Sequence, residues 1–159
     1  MNDHRDLLRN RNCLGVWQTA EAVIYDKTGW TGVRRQLLRA PDTDQWSDRV
    51  VQSVVSFPSA VAARAFITES SQRWANCTNH HLNITINDQP QPAWVSGDLS
   101  KTDTELTLPV TRGSGEQARS CQRILAADDN VVIDVEACSP QADGRAGAIV
   151  EKIASKLPR

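Results

Sequence analysis

Ser120-Cys-Gln-Arg-Ile-Leu-Ala-Ala-Asp-Asp-Asn-Val-Val-Ile-Asp-Val-Glu-Ala-Cys138 is the stretch that decides the fold. Two β-rich runs flank Asp128-Asp129-Asn130, residue types that favour tight turns, so the stretch predicts a β-hairpin. With the turn centred between Asp129 and Asn130, Cys121 falls directly opposite Cys138. Cross-strand Cβ atoms lie about 4.5–5.5 Å apart, close enough for a disulfide with small adjustment. The same register sorts the hairpin into two faces. Ile124, Ala126, Ile133, Val135 and Ala137 share an apolar face, with Ile124 opposite Val135. Arg123, Asp134, Glu136 and the cysteines share the other, with Arg123 opposite Glu136 and no basic residue opposite Asp134. The apolar face is expected under helices. The polar face is expected either to meet water or to line a cleft, and a one-residue slip would undo both assignments together.

Two cysteines remain, Cys13 and Cys77, and they pair by elimination. In the chain-entropy model the two bridges contribute about 3 and about 4 kcal/mol, the longer loop contributing more. Free buried thiols and a metal site are the competing readings. Cys77 is close to His80-His81, but no second ligand pair has the short spacing of a structural zinc, and adjacent strand residues point to opposite faces. Two bridges indicate an oxidising, extracytoplasmic compartment. Met1-Asn-Asp-His-Arg-Asp6 lacks the apolar core of a signal peptide. The expectation is therefore a fragment whose signal, lipid anchor or membrane helix lies outside this chain.

Working outward from the hairpin, the clearest element is a helix over about 59–76. Ala60, Ala63, Ile67, Ser70 and Trp74 recur at spacings of three and four, Phe66 lies beside them, and Ser59 is placed to cap the start. Such a helix delivers Cys77 to Cys13. Upstream, 33–38 and 50–57 read as strands separated by the polar loop Ala40-Pro-Asp-Thr-Asp-Gln-Trp46. Leu7 and Leu8 suggest a short opening helix, and Asp26-Lys-Thr-Gly29 marks a turn. Between the long helix and the hairpin, strand-like runs occur at 82–86, 94–95 and 106–110. Ala146, Ile149, Ile153 and Leu157 give a closing amphipathic helix. Short connections between strands imply antiparallel pairing, so the expected fold is a single α+β domain over 12–157, with helices on one face of a mainly antiparallel sheet. Residues 1–11 are expected to form an N-terminal extension or a short helix.

Composition narrows the function classes. The chain has 159 residues, enough for one compact domain, and 18 basic residues nearly balance 19 acidic ones. That balance excludes the strongly basic profile of a nucleic-acid binder, and Arg34-Arg35 is too short for a basic patch. No run approaches the ~20 apolar residues of a membrane-spanning helix, so membrane association is expected only through an anchor absent from this chain.

Cys13-Leu-Gly-Val-Trp17, Gly29-Trp-Thr-Gly-Val33, Val50-Val-Gln-Ser-Val-Val-Ser-Phe-Pro-Ser-Ala60, Trp74-Ala-Asn-Cys77, Cys121 and Asn130-Val-Val-Ile-Asp-Val-Glu-Ala-Cys138 together carry a family resemblance. The chain resembles the PknH-like extracellular domain, the sensor portion of certain mycobacterial receptor Ser/Thr kinases, also found in related cell-envelope lipoproteins. The likeness runs from about residue 12 to 155. It implies one α+β domain with two disulfides and a large cleft that receives an unidentified ligand. No glycine-rich phosphate loop or kinase catalytic-loop motif occurs in the chain.

No catalytic motif stands out either. Ser114 and Ser120 sit in or beside a glycine loop without a nucleophile elbow, and bridged cysteines leave no thiol nucleophile. No cofactor or metal is expected. The candidate ligand-binding residues are Tyr25, Trp30, Trp94, Arg123, Asp134 and Glu136: aromatics near loops, and the charges of the polar hairpin face. Trp46 shares the loop placement. The expected function is an extracytoplasmic, non-catalytic sensor of a small or cell-wall-derived ligand, attached to a receptor kinase or a lipoprotein. The alternatives are a protein–protein interaction domain of a cell-wall lipoprotein, acting through self-association or an envelope partner, and an envelope hydrolase.

Overall fold

The computed structural model describes residues 1–8 and 10–158. A 3-10 turn, Arg11–Cys13, opens the helical structure and runs into α1 (Leu14–Trp17); a second lies at Gly115–Gln117. Then come α2 (Ala22–Tyr25), β1 (Gly32–Ala40), β2 (Asp48–Ser56) and α3 (Ala60–Ala75). Short strands follow: β3 (His81–Leu82), β4 (Thr85–Ile86), β5 (Gln89–Pro90), β6 (Trp94–Ser96) and β7 (Ser100–Lys101). The chain closes with β8 (Glu105–Arg112), β9 (Arg119–Asp128), β10 (Val131–Ser139) and α4 (Arg145–Ala154). The opening helix expected around Leu7 and Leu8 is instead a turn. Asn10 caps the following 3-10 turn by accepting from the Asn12 amide, so helix begins only after it.

The hairpin is β9–β10, and its register is the expected one: Cys121 opposite Cys138, Arg123 opposite Glu136, Ile124 opposite Val135. Asp129 at the turn takes φ 51°, a left-handed conformation that Asp tolerates better than most residues. Both disulfides are formed, Cys13–Cys77 with a Cα–Cα distance of 5.6 Å and Cys121–Cys138 with 4.0 Å. The hairpin is the centre of an eight-stranded antiparallel sheet ordered β1-β2-β10-β9-β8-β6-β3, with β7 also paired to β8. β4 and β5 form a separate small ribbon. Pro109 is tolerated within β8 because its carbonyl accepts from Gly97 in the break between β6 and β7. Its missing N–H points to that same side, leaving the β9 ladder intact.

α3 forms as its spacing predicts. Ser59 Oγ accepts from the Ala62 amide, and Ala63, Phe66, Ile67, Ser70 and Trp74 make the buried stripe. This stripe packs with Leu125, Val132, Cys121 and Cys138, on the polar face of the hairpin. α4 packs Ala146 and Val150 against Ile124, Ala126, Ile133, Val135 and Ala137, on the apolar face. The α+β architecture holds, but helices cover both faces of the sheet rather than one. The apolar face alone suggested a helical cover; the second cover becomes possible because the charges beneath it find partners inside the protein.

Candidate functional site

The hairpin's charges are buried, which corrects the expectation that they meet water; Arg123 and Asp134 line a small cavity together with Tyr25, Glu21, Phe66 and Trp74. Arg123 is 1% exposed, Asp134 2% and Glu136 1%. Burial of a guanidinium requires that its donors be satisfied. Arg123 donates through Nε to the Val16 carbonyl at 3.2 Å, and through Nη2 to the Gly15 carbonyl at 2.6 Å and the Gln18 carbonyl at 3.3 Å. These are carbonyls at the end of α1, left without intrahelical partners and favourable for a cation. Nη1 donates to the Val135 carbonyl at 2.6 Å, Nη2 to Asp134 Oδ1 at 2.7 Å, and the Trp74 ring centroid lies 5.4 Å from the guanidinium carbon. Asp134 Oδ2 accepts from the Ala20 amide at 2.9 Å and from the Tyr25 hydroxyl at 3.0 Å. Burial, followed by the adjacent Asp134 charge, pushes the Tyr25 hydroxyl well above its ordinary pKa. Its ring stacks on Phe66 at 4.3 Å. Tyr25, Arg123 and Asp134 thus converge on one closed network that fastens the N-terminal segment to the sheet.

The pairing follows diagonals rather than direct opposites. Arg123 reaches Asp134, while Glu136 pairs with Arg49 on β2. Burial raises the Glu136 carboxyl above its ordinary range, against the opposing pull of Arg49, Arg123 and Arg112. Its Oε2 has no hydrogen-bond partner among the described residues.

Beyond Glu136, at one end of the sheet, lies a groove of about 410 Å³ lined by Asp44, Gln45, Trp46, Pro92, Arg112, Gln117 and Arg119. The 41–47 loop, the end of β8 and the start of β9 bring these residues together. The Arg112 guanidinium carbon lies 4.9 Å from the Trp46 ring centroid and 5.7 Å from that of Trp94. Arg49 lies 5.9 Å from the same Trp46 ring. Asp44, the one carboxylate of the lining, pairs with Arg39 at 2.9 Å. Arg119 donates to the Ser47 and Ala118 carbonyls, which joins the 41–47 loop to β9.

None of the candidate residues lines this groove: Trp94 is a buried ring in contact with Arg112, and Glu136 pairs with Arg49, which lies near Trp46. Tyr25, Arg123 and Asp134 belong to the closed network. Trp30 stands apart, 38% exposed on the loop before β1. Arg49, Arg112 and Arg119 were not among the candidates, although strand parity carries them. Leu106, Leu108 and Val110 alternate inward and Arg112 is the next in step; Arg119 precedes Cys121 and Arg123 in the same way, and Arg49 precedes Val51 and Ser53. His80 and His81 are both exposed, and no group of three His, Cys, Asp or Glu suited to a metal occurs among the described residues.

The model of the PknH-like extracellular domain matches residues 1–156. The serine/threonine-protein kinase PknH of Mycobacterium bovis is 33% identical over 146 residues, covering 92% of this chain and 24% of that kinase. The corresponding kinase of Mycobacterium tuberculosis H37Rv is 32% identical over the same length, with 23% of it covered. The chain therefore spans about a quarter of the curated relatives it matches. The crystal structure of the extracellular domain of PknH from Mycobacterium tuberculosis superposes with a TM-score of 0.83 at 32% identity, covering 91% of this chain and 73% of that one.

Proposed function

This chain belongs to the PknH-like extracellular domain family, and from that premise we propose that it is the non-catalytic ligand sensor of a receptor Ser/Thr kinase or cell-envelope lipoprotein, with the groove at Trp46 as its binding site. The observation that supports this reading is the groove itself, about 410 Å³ in volume and walled by an aromatic ring and arginines. Its volume falls in the size range of small-molecule sites, and its mainly polar and charged lining suits a polar ligand. Tyr25, Arg123, Asp134 and Glu136 then act from behind: they hold the sheet and the N-terminal segment in one arrangement. A ligand signals only if it binds one of two arrangements better than the other.

The test is a thermal-shift screen of small molecules derived from the bacterial envelope. A ligand raises the melting temperature in a concentration-dependent way, and Trp46→Ala removes the rise. No stabilising compound across a broad envelope set, or a rise that persists in Trp46→Ala, overturns the assignment.

One observation favours a second reading, self-association. β1 is an edge strand with Leu37 and Leu38 exposed at 42% and 47%. An unpaired edge is a template for another strand, although Arg34, Arg35 and Arg39 on the same strand oppose such pairing. Sedimentation equilibrium that shows a monomer at all concentrations dismisses this reading.

A further inference from the structure

Arg112 differs from the arginines around it. Arg49 has Glu136, Arg39 has Asp42 and Asp44, Arg119 has three backbone carbonyls, and Arg123 has Asp134 and four carbonyls. The Arg112 guanidinium has no carboxylate or carbonyl partner among the described residues, although it is half-buried. Its position is nevertheless fixed, since the Trp46 and Trp94 rings both lie within 6 Å of its carbon. Removing a cation from water without pairing it is costly, and a planar fork of five donors matches an oxyanion bidentately.

The surroundings point the same way. The groove wall contributes two arginines, Arg112 and Arg119, and two amides, Gln45 and Gln117; its lone acid, Asp44, is engaged by Arg39. Burial, and then the nearby Arg49 charge, lower the Arg112 pKa from its ordinary value, a strain that a bound anion would relieve. Glu136 offsets this only in part: its charge raises the Arg112 pKa, but its Oε1 bonds to Arg49 and it makes no hydrogen bond to Arg112.

We infer that the groove binds a small oxyanionic ligand, a phosphate or carboxylate borne on a sugar-sized ring, with the anion on the Arg112 guanidinium and the ring beside Trp46. This deepens the sensor reading and rests on the groove being its site. The ring is required by the volume, which greatly exceeds a bare phosphate, and by the aromatic wall.

Two-dimensional NMR of the isotope-labelled domain tests it, following the Arg112 Nε–H and Trp46 indole N–H signals. The probes are glucose 6-phosphate, glucuronate, inorganic phosphate and, as neutral control, glucose. Glucose 6-phosphate or glucuronate shifts both signals saturably, and the stronger of the two identifies which anion the site prefers. Inorganic phosphate moves Arg112 more weakly, and glucose moves neither. Arg112→Gln weakens binding about tenfold or more, the worth of a charge-assisted bond. Arg112→Lys, which keeps the charge without the fork, recovers part of it. An unchanged melting temperature confirms that each variant is folded. Anion affinity equal in wild type and Arg112→Gln, or no saturable shift at tens of millimolar, overturns the anion assignment. If envelope extracts still move the Trp46 signal in that case, ligand binding at the groove stands and only its chemical class is wrong.

Discussion

Asp134→Asn is the sharpest test of the network beneath the sheet. The change is nearly isosteric, so packing is preserved and the electrostatic role is isolated. In the native protein Asp134 accepts from three donors: Arg123, the Ala20 amide and the Tyr25 hydroxyl. An asparagine that keeps its oxygen toward Arg123 turns its own NH2 toward Ala20 N–H, donor against donor. That leaves one buried amide unsatisfied, at about 1–3 kcal/mol. Arg123 also remains charged, 1% exposed and without a counter-ion. Breaking a buried ion pair on one side costs about 3–5 kcal/mol in all, the orphaned amide included. For a domain of this length that lowers the melting temperature by roughly 6–20 °C. Urea unfolding with the disulfides intact measures it, read as a lower midpoint at constant slope. The pair also predicts coupling. Arg123→Met combined with Asp134→Leu should be less damaging than the sum of its parts, by about 1–3 kcal/mol. A loss below about 1 kcal/mol in Asp134→Asn, within the range of ordinary substitutions, would refute the claim that this carboxylate anchors the N-terminal segment.

Two further predictions concern the chain's other buried groups. Glu136 has its carboxyl raised by burial, so the folded state holds its proton to higher pH than the unfolded state does. Its contribution to stability is greatest below the ordinary value of 4.5 and falls as pH rises from there through the raised value. Stability curves of wild type and Glu136→Gln should therefore differ by a term that declines with rising pH across that window, and a flat difference would contradict it. For the disulfides, replacing Cys13 and Cys77 by Ser should cost more than replacing Cys121 and Cys138. The sequence separations are 64 and 17 residues, corresponding to about 4 and about 3 kcal/mol, and equilibrium unfolding of the two double variants ranks them.

Local signals carried much of the fold. Tight turn residues set the hairpin register, spacing gave α3, and register with elimination gave both disulfides. What escaped was set by contacts distant in sequence. Nothing near Arg123 indicates that its acceptors are the carbonyls of Gly15, Val16 and Gln18, so its face read as open rather than covered. The ion pairs escaped for a related reason: direct opposites were compared, but long side chains reach along diagonals, Arg123 to Asp134 and Arg49 to Glu136. The groove was only half visible. Trp46 and Trp94 stood out by type, whereas Arg112 required the parity of β8 to be carried one step past its apolar run.

The closed network also bears on the order in which the molecule can assemble. Among the described residues, the first 25 contribute no strand to the sheet; their isolated bridge, between Asn2 and Glu21, joins the segment to itself. Their anchors are far downstream: Val16 meets Arg123 across 107 residues, and Ala20 meets Asp134 across 114. The beginning of the chain docks in part on α3, through the Cys13–Cys77 bridge and the Tyr25–Phe66 stack, but its polar anchors exist only once β9 and β10 do. Contacts of such separation form late, after the local hairpins β1–β2 and β9–β10. The 1–25 segment therefore completes its polar contacts only after the β9–β10 hairpin has formed.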